Sequence, residues 1–111
     1  MAALLLGIAS AVAGQQPSSV AEIEANLPAL AGRDRARALA QLTELIQSDD
    51  PRKALAYGAQ ALDAPAGDLD YGARITTLTS MAWAHHLLSQ YDEAVARAER
   101  ALRLAEEHGD G

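Results

Sequence analysis

The sequence predicts an all-α protein built from antiparallel helical hairpins. Three observations carry this expectation. Apolar or small residues recur at three- and four-residue steps from Ile75 to His108, the period of a helix with one buried face. Half of the residues are hydrophobic, yet Ala dominates them and Phe is absent, which suits close-packed helices. A β-sandwich would ask for β-branched and aromatic residues instead. Helix-start signals also stand at regular points, with Ser19-Val20-Ala21-Glu22 and Asp50-Pro51 the clearest. A length of 111 residues sets the scale at one small domain.

Residues 1–16 carry no charge. An apolar run from Leu4 to Ala13 ends in Ala11-Val12-Ala13, a small-x-small cleavage pattern, so the expectation is a secretory signal peptide and a periplasmic or secreted product. The run is too short for a permanent membrane span. No Lys or Arg precedes it. The competing reading is an apolar leader helix that packs on the domain.

Residues 17–31 form a linker and a leader helix. In the capping box, the Ser19 hydroxyl accepts from a first-turn N–H while Glu22 reaches back. Val20, Ile23 and Leu27 then share a face, and Pro28 discourages helix beyond Asn26 or Leu27. Residues 32–66 read as a weaker hairpin. Its first helix, Gly32 to Gln47, has an apolar stripe of Leu39, Leu42, Leu45 and Ile46. Asp50 caps the second, Pro51 opens it, and Ala54, Leu55, Gly58, Ala61 and Leu62 follow. Residues 67–111 hold the better hairpin and the start of a further connection. Leu78, Met81, Ala82 and His85 mark its first helix, Ser89-Gln90-Tyr91-Asp92 its turn, and Ala94, Ala98, Ala101, Leu102 and Ala105 its second helix.

The better hairpin resembles a tetratricopeptide repeat. Leu78, Met81-Ala82, His85, Ala94, Ala98 and Ala101 stand where that family places its signature residues. Tyr91-Asp92-Glu93-Ala94 and Arg100-Ala101-Leu102 look most like it, and His85 in place of Tyr is the main departure. The weaker hairpin follows in register. Ala94 lies 40 residues after Ala54, and Leu78 lies 39 after Leu39. The usual period is about 34, so the likeness is to a longer-period variety with a Pro/Gly connection. The resemblance implies a short α-solenoid, expected as the N-terminal segment of an exported bacterial repeat protein. It also implies a concave groove lined by the first helix of each hairpin. By register, the groove positions are Arg37, Ala40, Glu44 and Gln47, then Thr76, Thr79, Trp83 and His86.

The residues point away from catalysis. His85 and His86 are neighbours, about 100° apart on a helix, with Ser89 and Gln90 at the next-turn positions, so no metal site is expected. Asp49-Asp50 and Glu106-Glu107 lack a placed partner acid. No nucleophile elbow or Gly-rich phosphate loop occurs. Cys is absent, which removes disulfide and thiolate-metal chemistry. A net charge of −6 without a basic stripe argues against nucleic acid. Arg97, Arg100 and Arg103 are expected to form a solvated face, with pairs such as Glu93–Arg97 and Arg103–Glu107.

The expected function is therefore a non-enzymatic, exported module that needs no cofactor and binds a protein or peptide. The alternative, by family analogy, is an extracytoplasmic sensory segment of a larger signalling protein such as a sensor kinase or diguanylate cyclase. Two hairpins and a leader leave apolar surface uncovered, so further repeats or self-association are also expected.

Overall fold

The computed structural model describes residues 19 to 109. The expected signal peptide or apolar leader, residues 1–16, lies outside the described residues. Five α-helices follow in order: α1 (Val20–Asn26), α2 (Gly32–Ile46), α3 (Pro51–Leu62), α4 (Tyr71–Leu87) and α5 (Tyr91–Glu107). Two single 3-10 turns, Leu27–Ala29 and Ala66–Asp68, sit between them. Among the described residues the secondary structure is all helical, with no strand.

Local chemistry accounts for the helix starts. Ser19 Oγ accepts from the Glu22 N–H at 3.1 Å and donates to Glu22 Oε1 at 2.8 Å. The carboxylate thus closes the capping box on the hydroxyl of Ser19. Pro28 turns the end of α1 into the first 3-10 turn. Asp50 accepts from the Lys53 N–H, with Pro51 in the first helical position of α3. Asp70 caps α4 in the same way, accepting from the Ala73 N–H at 2.8 Å. Nothing in the residue spacing of α4 required that start, because Asp70 follows a Pro/Gly connection with no box partner.

The helices pack in a chain of neighbours. α2 lies against α3, α3 against α4 and α4 against α5; α1 rests on α2, and α2 also touches α4 directly. Three small cores hold them. Ile23 of α1 meets Ala38 and Leu42 of α2. Ala36 and Leu39 of α2 meet Ala61 of α3 and Leu69 of the following connection. Ile46, Ala54 and Ala84 join α2, α3 and α4. Half of the buried residues in these cores are Ala, which lets backbones come close. Gly58 marks a close approach, with Met81 of α4 and Thr43 of α2 both within contact of where its Cβ would lie.

The sequence stripes need two corrections. Leu45 is exposed; the buried face of α2 uses Thr43 instead, whose hydroxyl donates to the Leu39 carbonyl. A buried Thr costs little when its own helix satisfies the hydroxyl, and this substitution of polar for apolar is why the stripe was misplaced. Ala98 is also exposed, whereas Ala101 is buried and Ala94 half-buried. α5 therefore turns Ala94, Ala101 and Ala105 toward α4 and leaves Ala98 outside.

Two polar clusters fix the ends of the packing. Tyr57 of α3 donates to Glu24 Oε2 of α1 at 2.5 Å, and Lys53 Nζ lies 2.6 Å from the same oxygen. The hydrogen bond from Lys53, then that from Tyr57, holds the Glu24 carboxyl below its ordinary range. The same bond raises Lys53, and partial burial raises Tyr57. Arg74 organises the connection between α3 and α4. Its Nε donates to Leu69 O, Nη1 to Leu62 O, and Nη2 to Ala64 O and Pro65 O, at 2.8 to 3.3 Å.

Candidate functional site

The eight expected groove residues fall on two helices at matching steps. Arg37, Ala40 and Glu44 run along α2 with Gln47 at its C-cap; Thr76, Thr79, Trp83 and His86 run along α4. Both sets advance by three, four and three residues, which keeps each on one helix face. Because α2 and α4 touch directly, the two faces come to the same side of the molecule at one end. There Arg37, Ala40, Glu44 and Thr76 line one open cleft of about 240 Å³, together with Gln41, Gly72, Ala73 and Thr77. Arg37 and Glu44 give it one charge of each sign, about two helical turns apart.

The other end of the pair is aromatic. Trp83 is about half exposed, and its indole Nε1 donates to Ser48 Oγ at 3.0 Å. That bond ties α4 to the turn after α2. His86 stacks beside Trp83, with ring centroids 5.2 Å apart, and Tyr91 tilts against His86 at 5.5 Å. Three exposed rings thus form a continuous ledge. Ser48 and Tyr91 were absent from the expected groove. Ser48 lies beyond the helix that register reasoning followed, and Tyr91 belongs to the first turn of α5. Ser48 is revealed by its bond to Trp83, 35 residues away, and Tyr91 by its packing on His86 across the turn between α4 and α5.

Not every expected residue has a free side chain. The Thr79 hydroxyl donates to the Ile75 carbonyl of its own helix, so it is left with acceptor capacity and its methyl. Gln47 is half-buried, and Ala40 offers apolar surface only. His85 is separated from the ledge. It is buried, and its Nδ1 pairs with Gln90 Oε1 at 2.8 Å, while the Gln90 N–H donates to the His85 carbonyl. These bonds clamp the turn where Ser89 takes a positive φ of 62°.

The expected pairs Glu93–Arg97 and Arg103–Glu107 do not form ion pairs; among the described residues Lys53–Glu24 does. Exposed side chains at helical spacing gain too little to hold one geometry. Among the described residues no group of three His, Cys, Asp or Glu is placed to hold a metal ion. Among the same residues, no helix is long and apolar enough to cross a membrane. Compared with protein-family models, curated proteins and solved structures, the chain matches none of them.

Proposed function

We propose that this chain is a non-enzymatic, tetratricopeptide-like α-solenoid segment that binds a protein or peptide along the α2–α4 face. The observation that carries the reading is the pairing of two equally stepped rows of side chains on directly touching helices. They make an open, mixed trough that ends in an exposed aromatic ledge. A trough of this kind suits an extended or helical peptide. The Trp83–His86–Tyr91 ledge offers amphipathic contact surface, and Arg37 and Glu44 offer hydrogen-bonding groups at a fixed separation. The contacts of α2 with α3, α3 with α4 and α2 with α4 support a solenoid arrangement, as does the 40-residue register between Ala54 and Ala94. Small residues at Ala54, Gly58 and Ala61 sit where such a repeat needs close helix approach. Export through the apolar N-terminal stretch belongs to the same proposal and rests on residues 1–16 of the sequence.

Site-specific photocrosslinking in the native host tests this. A photoreactive side chain is placed at Glu44 or Thr79 in the trough, and at the exposed Arg52 of α3 as a control. Adducts to the same protein from both trough positions and not from Arg52 are the expected result. Equal labelling from all three positions would remove the case for a groove. N-terminal sequencing of the mature chain in the same experiment is expected to show loss of about 13 residues, by the small-x-small rule.

A further inference from the structure

The α2–α4 trough meets α5 only at Tyr91, and among the described residues nothing covers one face of α5. Tyr91, Val95, Ala98 and Leu102 are all exposed, Tyr91, Val95 and Leu102 by more than half. At 100° per residue these four occupy a stripe some 60° wide, beside the face that packs on α4. Immediately outside the stripe lie Asp92, Glu99 and Glu106, spaced by seven residues and all exposed. Within that sector no Lys or Arg intervenes, and none of the three acids forms an ion pair among the described residues.

The chain itself shows what covers such a stripe. Shifted back by the 40-residue register, the four positions are Pro51, Leu55, Gly58 and Leu62 of α3, and all four are buried or half-buried. Gly58 lies under Met81 of α4, and Leu55 packs on the cluster containing Ala84 of α4. A helix laid across the stripe is thus the arrangement this backbone already makes once. The acidic row is new to α5, since its counterparts on α3 and in the connection are Arg52, Ala59 and Ala66. Two copies of α5 laid antiparallel along this seam would set acid row against acid row, and like charges brought together disfavour that pairing.

We propose that the Tyr91–Leu102 face of α5 is a second docking surface, whose partner is an amphipathic helix with a Lys/Arg row flanking its apolar stripe. The apolar stripe supplies contact area, and the acidic row selects the partner and its register.

Two synthetic 17-residue helices, matching the length of α5, test this on the full chain. They share one apolar stripe and differ only in carrying a Lys row or a Glu row beside it. Titration calorimetry is expected to show the Lys-row peptide binding at least about tenfold more tightly than the Glu-row peptide, with the difference shrinking in salt. Leu102→Asp is expected to abolish binding. The triple variant Asp92→Lys, Glu99→Lys, Glu106→Lys is expected to invert the preference. Glu44→Ala, in the trough and away from Tyr91, is expected to change neither. Circular dichroism confirms that each variant keeps its helix content. Equal affinity for both peptides, or binding of neither, overturns the proposal. So does sedimentation showing that the chain already self-associates through this face and that Leu102→Asp makes it monomeric.

Discussion

Gly58 and Met81 meet where a side chain on the first would collide with the second. A Cβ on Gly58 would lie 2.6 Å from Met81 Sδ, 2.8 Å from Met81 Cγ and 3.2 Å from the Thr43 methyl. Helix propensity alone favours Gly58→Ala by about 1 kcal/mol. Overpacking opposes it by about 1–3 kcal/mol, moderated because a Met side chain bends more readily than backbone. The expected net effect is a loss of about 1 kcal/mol in urea unfolding. In a Met81→Ala background the collision with Met81 is gone and only the 3.2 Å contact with Thr43 is left, so the same substitution is expected to become stabilising. A double-mutant cycle reads this directly. Additive effects would mean that the two residues do not press on each other.

Arg74 holds four carbonyls of the α3–α4 connection with one guanidinium. Those carbonyls have few other partners, because Pro65 and the 3-10 turn leave no regular ladder there. Charge-assisted hydrogen bonds are among the stronger ones. Arg74→Ala is expected to cost about 2–3 kcal/mol and to speed amide exchange across residues 63–69. Arg74→Lys is expected to recover little of it, since a single ammonium cannot copy the planar fork. Full recovery by Lys would reduce the role of Arg74 to charge alone.

The helical class and most boundaries were legible because caps and stripes are local. Ser19, Asp50 and Pro28 act within a few residues of themselves, so their effect is visible in the chain. The stripe of α2 was legible except at Thr43, where a polar residue hides in the core by bonding its own helix. The phase of α5 was not legible at Ala98. An Ala-rich helix has small residues on several faces, and pattern alone does not say which face meets α4. Arg74 was passed over for a different reason. Its partners are carbonyls of the connection, which a side-chain pattern does not display. In the candidate site, the two stepped rows were readable from register, while the Trp83–Ser48 bond joins residues 35 apart in sequence and the His86–Tyr91 contact crosses the turn between α4 and α5.

The Glu24–Tyr57–Lys53 cluster makes stability pH-dependent at both ends. Glu24 titrates below its ordinary 4.5 in the folded chain. Between the folded value and 4.5 the unfolded chain binds more protons, so this stabilisation is complete above 4.5 and fades as pH falls through the lowered value. Tyr57 and Lys53 are raised above their ordinary 10.0 and 10.5. Their contribution is complete below 10.0 and fades as pH climbs through the raised values. Thermal unfolding from acid to alkaline pH is expected to show a plateau with a decline on each side. Glu24→Gln should lower the plateau and soften both declines. An unchanged profile in that variant would show that α1 docks through Ile23 and its apolar neighbours alone.

Ala98 and Ala101 lie three residues apart on α5, yet the first is exposed and the second buried against α4. Ala101→Leu must push a larger side chain between two close backbones and is expected to cost about 1–3 kcal/mol. Ala98→Leu adds an apolar group to open surface, where substitutions usually stay within about 0.5 kcal/mol. Arg100→Leu, on the solvated side, is expected to behave like Ala98→Leu in stability. The two exposed variants part company in binding. Ala98 lies within the stripe flanked by Asp92, Glu99 and Glu106, so Leu there alters the surface offered to an incoming helix, whereas Arg100 lies outside it. Denaturation of the three variants, paired with titration of the Lys-row peptide, separates packing from docking. Comparable stability losses at Ala98 and Ala101 would mean that Ala98 is covered in solution. The exposed stripe would then be part of the core.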